Sequence, residues 1–129
     1  MKRRPLFAAA LLLLASATSV GCAQADDKAG NVETAPLGAN EQATYEYTVP
    51  FGTGRSIDSG EIIEIMPQTL QVKVGESIRI TNKDIRGYDI GPFYVDALQT
   101  LAMRFTHTGR LSGICAVNPD GEFVIEVTD

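Results

Sequence analysis

With 129 residues, 44% of them hydrophobic and 21% charged, the chain is long enough for one domain with a packed core and too short for two. A net charge of −5 and a pI near 4.8 argue against a nucleic-acid partner held through phosphate contacts. One histidine and two cysteines exclude a histidine-rich zinc site and a scaffold stapled by several disulfides.

The first element is an export signal over residues 1–21. Met1-Lys2-Arg3-Arg4 supplies a basic start, and Leu6 to Ala15 is a nearly unbroken apolar run. That run is shorter than the about 20 apolar residues needed to span a bilayer, and it has the proportions of a secretory h-region. Removing residues 1–21 takes away three basic side chains and no acidic ones, leaving an exported chain of charge −8. Ser19-Val20-Gly21-Cys22 resembles the lipobox of bacterial lipoproteins, with Ser19 in place of the usual aliphatic residue. The resemblance implies lipid attachment at Cys22 and anchoring to a membrane of the cell envelope. The alternative is cleavage after Ala23-Gln24-Ala25, which would release a soluble periplasmic or secreted protein.

Residues 22–43 follow as a tether. From Asp26 onward they offer hardly any large apolar side chain to offset the entropy of ordering, so the composition predicts a flexible segment. About 18 such residues have a root-mean-square span of roughly 25 Å, enough to hold a domain off a membrane surface.

From Thr44 to the end the hydrophobic period is two. Leu70, Val72 and Val74 alternate with Gln71 and Lys73, and Ile78 and Ile80 with Arg79 and Thr81. Leu101, Met103 and Phe105 repeat the pattern, as do Phe123, Ile125 and Val127. Turn signals fall at Pro50 to Gly54, Asp58 to Gly60, Asn82 to Gly87, Gly91-Pro92, Gly109 and Asn118 to Gly121. No stretch shows a sustained helical period. The expectation is an all-β Greek-key sandwich of about seven or eight strands over residues 44–129, with Val72, Ile80, Phe105 and Ile125 on inward faces.

Three stretches carry a family resemblance. Ile65 to Glu76 is similar to the second and third strands of cupredoxins, the blue-copper proteins. Ile80-Thr81-Asn82-Lys83-Asp84 is similar to the strand and loop that deliver their first copper histidine. Phe105 to Gly121 is similar to the last hairpin, which carries the remaining ligands. The resemblance implies a cupredoxin-like fold over about residues 61–128. It places the first histidine position at Tyr88, the cysteine at Cys115, the second histidine at Asn118 and the methionine near Gly121. A blue-copper centre requires a trigonal His₂Cys set, and of the four positions Cys115 alone keeps its residue. These four positions are therefore a vestigial metal pocket, with no metal and no cofactor expected. The alternative is a copper-binding, electron-transfer cupredoxin that uses Cys115 with unconventional ligands.

The other chemistry-bearing residues have plain structural readings. His107 enters a turn roughly 20 Å of extended chain before Cys115, so it is expected in solvent at the far end of that strand. Met66 and Met103 lie in apolar alternation and are expected in the core. Cys115 has no basic neighbour in sequence and is expected to be a buried, inert thiol. Asp84 and Asp89 are expected at a solvated pocket rim. No phosphate loop, Ser-His-Asp set or H-E-x-x-H motif is present, so the chain is not expected to be an enzyme. The predicted role is a lipid-anchored binding or assembly module whose partner is an envelope protein or a small ligand. An immunoglobulin-like adhesion sandwich is a further alternative.

Overall fold

The computed structural model describes residues 34–129; the signal segment, Cys22 and the tether as far as residue 33 lie outside the described residues. Nine strands and one short helix follow in chain order: β1 Thr34–Pro36, β2 Tyr45–Val49, α1 Thr53–Asp58, β3 Thr69–Lys73, β4 Ser77–Asn82, β5 Tyr88–Ile90, β6 Phe93–Val95, β7 Thr100–Phe105, β8 Gly109–Ile114 and β9 Glu122–Thr128. One sheet has the order β1-β7-β4-β2, a second the order β3-β9-β8, and β5-β6 forms a hairpin. The all-β sandwich expected from the alternation is present.

Two strand pairs are parallel, β2 with β4 and β3 with β9, and the remaining pairs are antiparallel. A parallel pair cannot be joined by a tight turn. The chain therefore leaves β2, passes through α1, crosses to the other sheet as β3 and returns as β4. That detour places α1 next to the loop that follows β4.

The period-two pattern is realised as predicted where the strands face each other. Val72, Ile80, Phe105 and Ile125 are all buried, joined by Val49, Ile78, Phe123 and Val127. Each large apolar side chain fully buried in this way contributes about 1.5–3 kcal/mol through the area removed from water. β9 lies between β3 and β8, and it buries Phe123, Val124 and Ile125 in succession. Met66 is buried and Met103 is packed against the same cluster. Val74 departs from its predicted place: β3 ends at Lys73, and Gly75 (φ 92°) turns the chain.

Two further departures concern the start of the domain. Residues 34–43 belong to the segment assigned to the tether, yet Thr34–Pro36 pairs with Met103–Phe105 as an edge strand. Arg79 then pins the following turn, its Nη2 donating to the carbonyls of Gly38 (3.1 Å) and Glu41 (2.7 Å). Main-chain pairing and the Arg79 side chain hold this stretch, with only Leu37 and Ala43 buried from it, which is why its poverty in large apolar side chains gave no sign of it. The second departure is α1, six helical residues where only turn signals had been read.

Candidate functional site

α1 is too short to be stable alone, since a helix of one and a half turns cannot recover its nucleation cost. Its N-cap is Gly52, at φ 91°, with no side-chain cap of its own. The missing cap comes from another element. Asp84, on the loop after β4, accepts from the backbone N–H of Gly52 (3.1 Å, Oδ1) and of Gly54 (2.8 Å, Oδ2). A carboxylate is thereby placed on the unsatisfied amides of a first helical turn. At the other end of α1, Asp58 accepts both Nη atoms of Arg86 at 3.0 and 2.7 Å.

Asp84 also takes the Ile85 N–H (2.9 Å) and the Tyr88 hydroxyl (2.5 Å), so its two oxygens receive four donors. The side chain is only 3% exposed, which corrects the expectation of a solvated rim carboxylate. A buried ionised carboxylate is tolerated where hydrogen bonds replace its water. The Tyr88 hydroxyl, with the amides of Gly54, Gly52 and Ile85, holds its carboxyl well below the usual range. Burial, and then the neighbouring carboxylate, push the Tyr88 phenol above its ordinary value. Asp89, by contrast, is exposed, as expected for a rim.

Asn82 organises the loop. Its Oδ1 accepts the Asp84 N–H (3.0 Å), while Nδ2 donates to the carbonyls of Arg86 (2.7 Å), Asp96 (3.1 Å) and Val95 (3.3 Å). Leu98, the one non-glycine residue with left-handed φ (61°) among those described, donates its N–H to the Asp84 carbonyl (3.1 Å). Gly54 is required by close approach. A Cβ there would lie 2.8 Å from the Arg86 guanidinium and 2.8 Å from the Tyr88 hydroxyl.

The second half of the site lies where β8 ends. Cys115 bridges to Ile90 of β5, and the Ala116 N–H donates to the Asp89 carbonyl at 2.9 Å. Tyr88 and Cys115 are thus carried on adjacent backbone and share one apolar cluster. The Cys115 thiol is buried and pushed up by that burial, against the lesser pull of the Val117, Gly91 and Asn118 amides. Its burial is as expected. Asn118 is 7% exposed; its Nδ2 donates to the Glu122 carbonyl (2.6 Å), and its Oδ1 is buried with no hydrogen-bond partner. Gly121 occupies an exposed turn at φ 69°, where its N–H donates to the Asn118 carbonyl. His107 is exposed at the β7–β8 turn, at the opposite end of β8 from Cys115.

Of the four predicted positions, the structure brings Tyr88 and Cys115 together and sets Asn118 and Gly121 in the loop that follows Cys115. It adds α1, which had been read only as turns, and gives site roles to Asn82, Arg86 and Asp58, which the sequence reading had placed only in turn signals and, for Asn82, in the resemblance. Among the described residues, no group of three or more His, Cys, Asp and Glu side chains is arranged to hold a metal ion. Nor is any helix among them long and apolar enough to cross a membrane.

No protein-family model and no curated protein matches the chain. Solved structures do. A Cu(I) form of a mutant of amicyanin is 12% identical with a TM-score of 0.46, over 78% of this chain and 96% of that one. Amicyanin from Paracoccus versutus (Thiobacillus versutus) gives 12% and 0.43, over 78% and 95%. A purple cupredoxin from Nitrosopumilus maritimus gives 16% and 0.43, over 65% and 99%. In fold, this chain is similar to the cupredoxins.

Proposed function

We propose that the protein is an exported, lipid-anchored cupredoxin-like domain that acts as a non-enzymatic binding or assembly module without a type 1 copper site. The observation that carries this reading is the state of Tyr88. At the position of the first copper histidine stands a phenol whose hydroxyl is committed to the buried Asp84 carboxylate. Asn118, at the second histidine position, offers an amide whose nitrogen is committed to the Glu122 carbonyl. Neutral phenol and amide are poor copper donors beside imidazole, so the donor set at these positions does not fit a trigonal His₂Cys centre. A pocket end tied into a hydrogen-bonded network suits a scaffold that presents a surface. Anchoring rests on the sequence around Cys22, whose acyl chains would each contribute about 0.8 kcal/mol per buried methylene.

Copper titration followed by visible and electron-spin spectra tests the first part. The expected result is no intense thiolate-to-copper band; stoichiometric copper with such a band overturns the reading in favour of electron transfer. Fractionation tests the second part. Wild type is expected with the membranes and Cys22→Ala in the soluble fraction, whereas a soluble wild type beginning at Asp26 removes the lipid anchor.

A further inference from the structure

Two features that the pocket does not use lie close together on the surface around α1. The first is a cleft of about 250 Å³, lined by Phe51, Arg55, Asp58, Asp84, Ile85 and Arg86 among others. Phe51 and Ile85 are 70% and 73% exposed, large apolar side chains turned to water on one opening. Of the acidic groups in the cleft, Asp58 is paired with Arg86, and Asp84 is buried with its carboxylate held by four donors. Arg55 is exposed and forms no ion pair among the described residues. The cleft thus presents an exposed, unpaired arginine between apolar walls, on a protein that is acidic as a whole. Its volume lies below the roughly 300–1,000 Å³ of small-molecule pockets and suits one anchoring side chain of a protein partner.

The second feature is Glu61-Ile62-Ile63-Glu64, which leaves α1 without regular structure. Its start is tied to the helix, with the Gly60 N–H on the Ile57 carbonyl (3.0 Å) and the Glu61 N–H on the Ser56 carbonyl (3.0 Å). Ile63 and Ile65 pack against the core. Alternation then turns Ile62 outward, to 82% exposure, between the exposed carboxylates of Glu61 and Glu64. Neither glutamate forms an ion pair among the described residues.

An apolar knob flanked by carboxylates is the chemical complement of an apolar socket with an unpaired arginine. We infer that the partner at this surface is a second copy of the chain, with Ile62 of each copy seated between Phe51 and Ile85 of the other and Glu61 or Glu64 facing Arg55. This names the partner for the binding or assembly role proposed above and rests on that reading. Knob and socket adjoin the same helix, so the contact can be reciprocal. That is what an isologous twofold dimer requires, and a reciprocal contact closes at two copies.

The test is sedimentation velocity of the soluble Cys22→Ala chain from micromolar to millimolar concentration. The mass is expected to rise from one copy towards two. Ile62→Asp, Arg55→Glu and the double variant Glu61→Arg/Glu64→Arg should each weaken association by about tenfold or more. Their folds should be unchanged by circular dichroism, because these side chains touch nothing the fold needs; Arg55→Ser is the milder variant if Arg55→Glu fails to fold. The decisive sample mixes Arg55→Glu with Glu61→Arg/Glu64→Arg. Each alone repels itself at both contacts, while the mixed pair has one native contact and one with its charges exchanged, so dimer should return. A wild type that stays monomeric throughout, a dimer indifferent to these substitutions, or growth beyond two copies overturns the inference. None of those outcomes touches the copper result, so the binding-module reading stands or falls separately.

Discussion

The loop from Asn82 to Tyr88 runs into β5, whose Asp89 carbonyl accepts from Ala116 of the loop from Cys115 to Gly121, yet the two loops treat buried polar atoms in opposite ways. In the first, the Asn82 amide makes four hydrogen bonds and the Asp84 carboxylate accepts four. In the second, Asn118 makes one good bond through nitrogen and leaves its oxygen buried without a partner. A network in which every member is satisfied rigidifies its surroundings; a partly satisfied one is weaker than an apolar replacement. The first loop is therefore the structural keystone of this end of the sandwich, and the second a replaceable cover. Measured stabilities should divide along that line.

The largest effect is expected at Asp84. Asp84→Ala leaves the Gly52, Gly54 and Ile85 amides without their acceptor, removes the cap of α1 and frees Tyr88. The expected cost is about 3–5 kcal/mol by urea denaturation. Acid should reveal the same group. Its folded pKa is lowered, so the folded state binds fewer protons than the unfolded chain, and the contribution is fully present above the unfolded value near 4. That contribution is lost as pH falls through the lower folded value. Wild type should thus lose stability from about pH 4 downward, and Asp84→Ala should show a shallower slope over the same range. Equal acid slopes in the two proteins would deny the first loop its special standing.

Next in size is Tyr88→Phe, which deletes one donor and keeps the ring in the core. A hydrogen bond to a charged group contributes about 1.5–3 kcal/mol, and the loss should fall in that range because the three backbone donors remain on Asp84. The alkaline limb supplies an independent reading. Tyr88 has a raised folded pKa, so its contribution is present below the unfolded value near 10 and is lost as pH rises through the folded one. The phenylalanine variant should lack that alkaline loss of stability and keep a smaller acid one, since the Tyr88 hydroxyl has the largest effect of the groups that hold the Asp84 carboxyl low and the amide donors remain.

The same contrast separates what was legible in the sequence from what was not. Strands with one buried face announce themselves through period-two alternation, which is why Val72, Ile80, Phe105 and Ile125 could be placed inward. α1 could not be read, because Gly52 and Gly54 look like loop residues and its cap is a carboxylate about thirty positions away. Asp84 was hidden by composition: in an acidic chain one more aspartate looks like surface. A local signal was available. Asn82-Lys83-Asp84 places two side chains that favour bonding nearby amides at the end of a buried strand, an arrangement that suits a turn built on side-chain to backbone bonds. The edge strand Thr34–Pro36 had no such signal, since its pairing uses main-chain groups alone.

The smallest effect should come from Asn118→Leu, and its smallness is informative. The substitution removes the Nδ2 donor to the Glu122 carbonyl, a loss of about 1 kcal/mol for an ordinary neutral hydrogen bond. It also removes the unpartnered Oδ1, whose burial costs about 1–3 kcal/mol in the native state. Leucine keeps the branching of asparagine at Cγ but is larger, and the exposed Pro119–Gly121 turn beside it can yield to the added volume. The two polar terms oppose each other, and Glu122 is exposed enough for water to take over at its carbonyl. The net change should lie within about 1 kcal/mol of zero, with a slight gain in stability as the favoured sign. A cost above about 2 kcal/mol by urea denaturation would mean that Oδ1 is satisfied in the folded protein. The second loop would then be a built polar site in its own right, and the division between keystone and cover would fail at this residue.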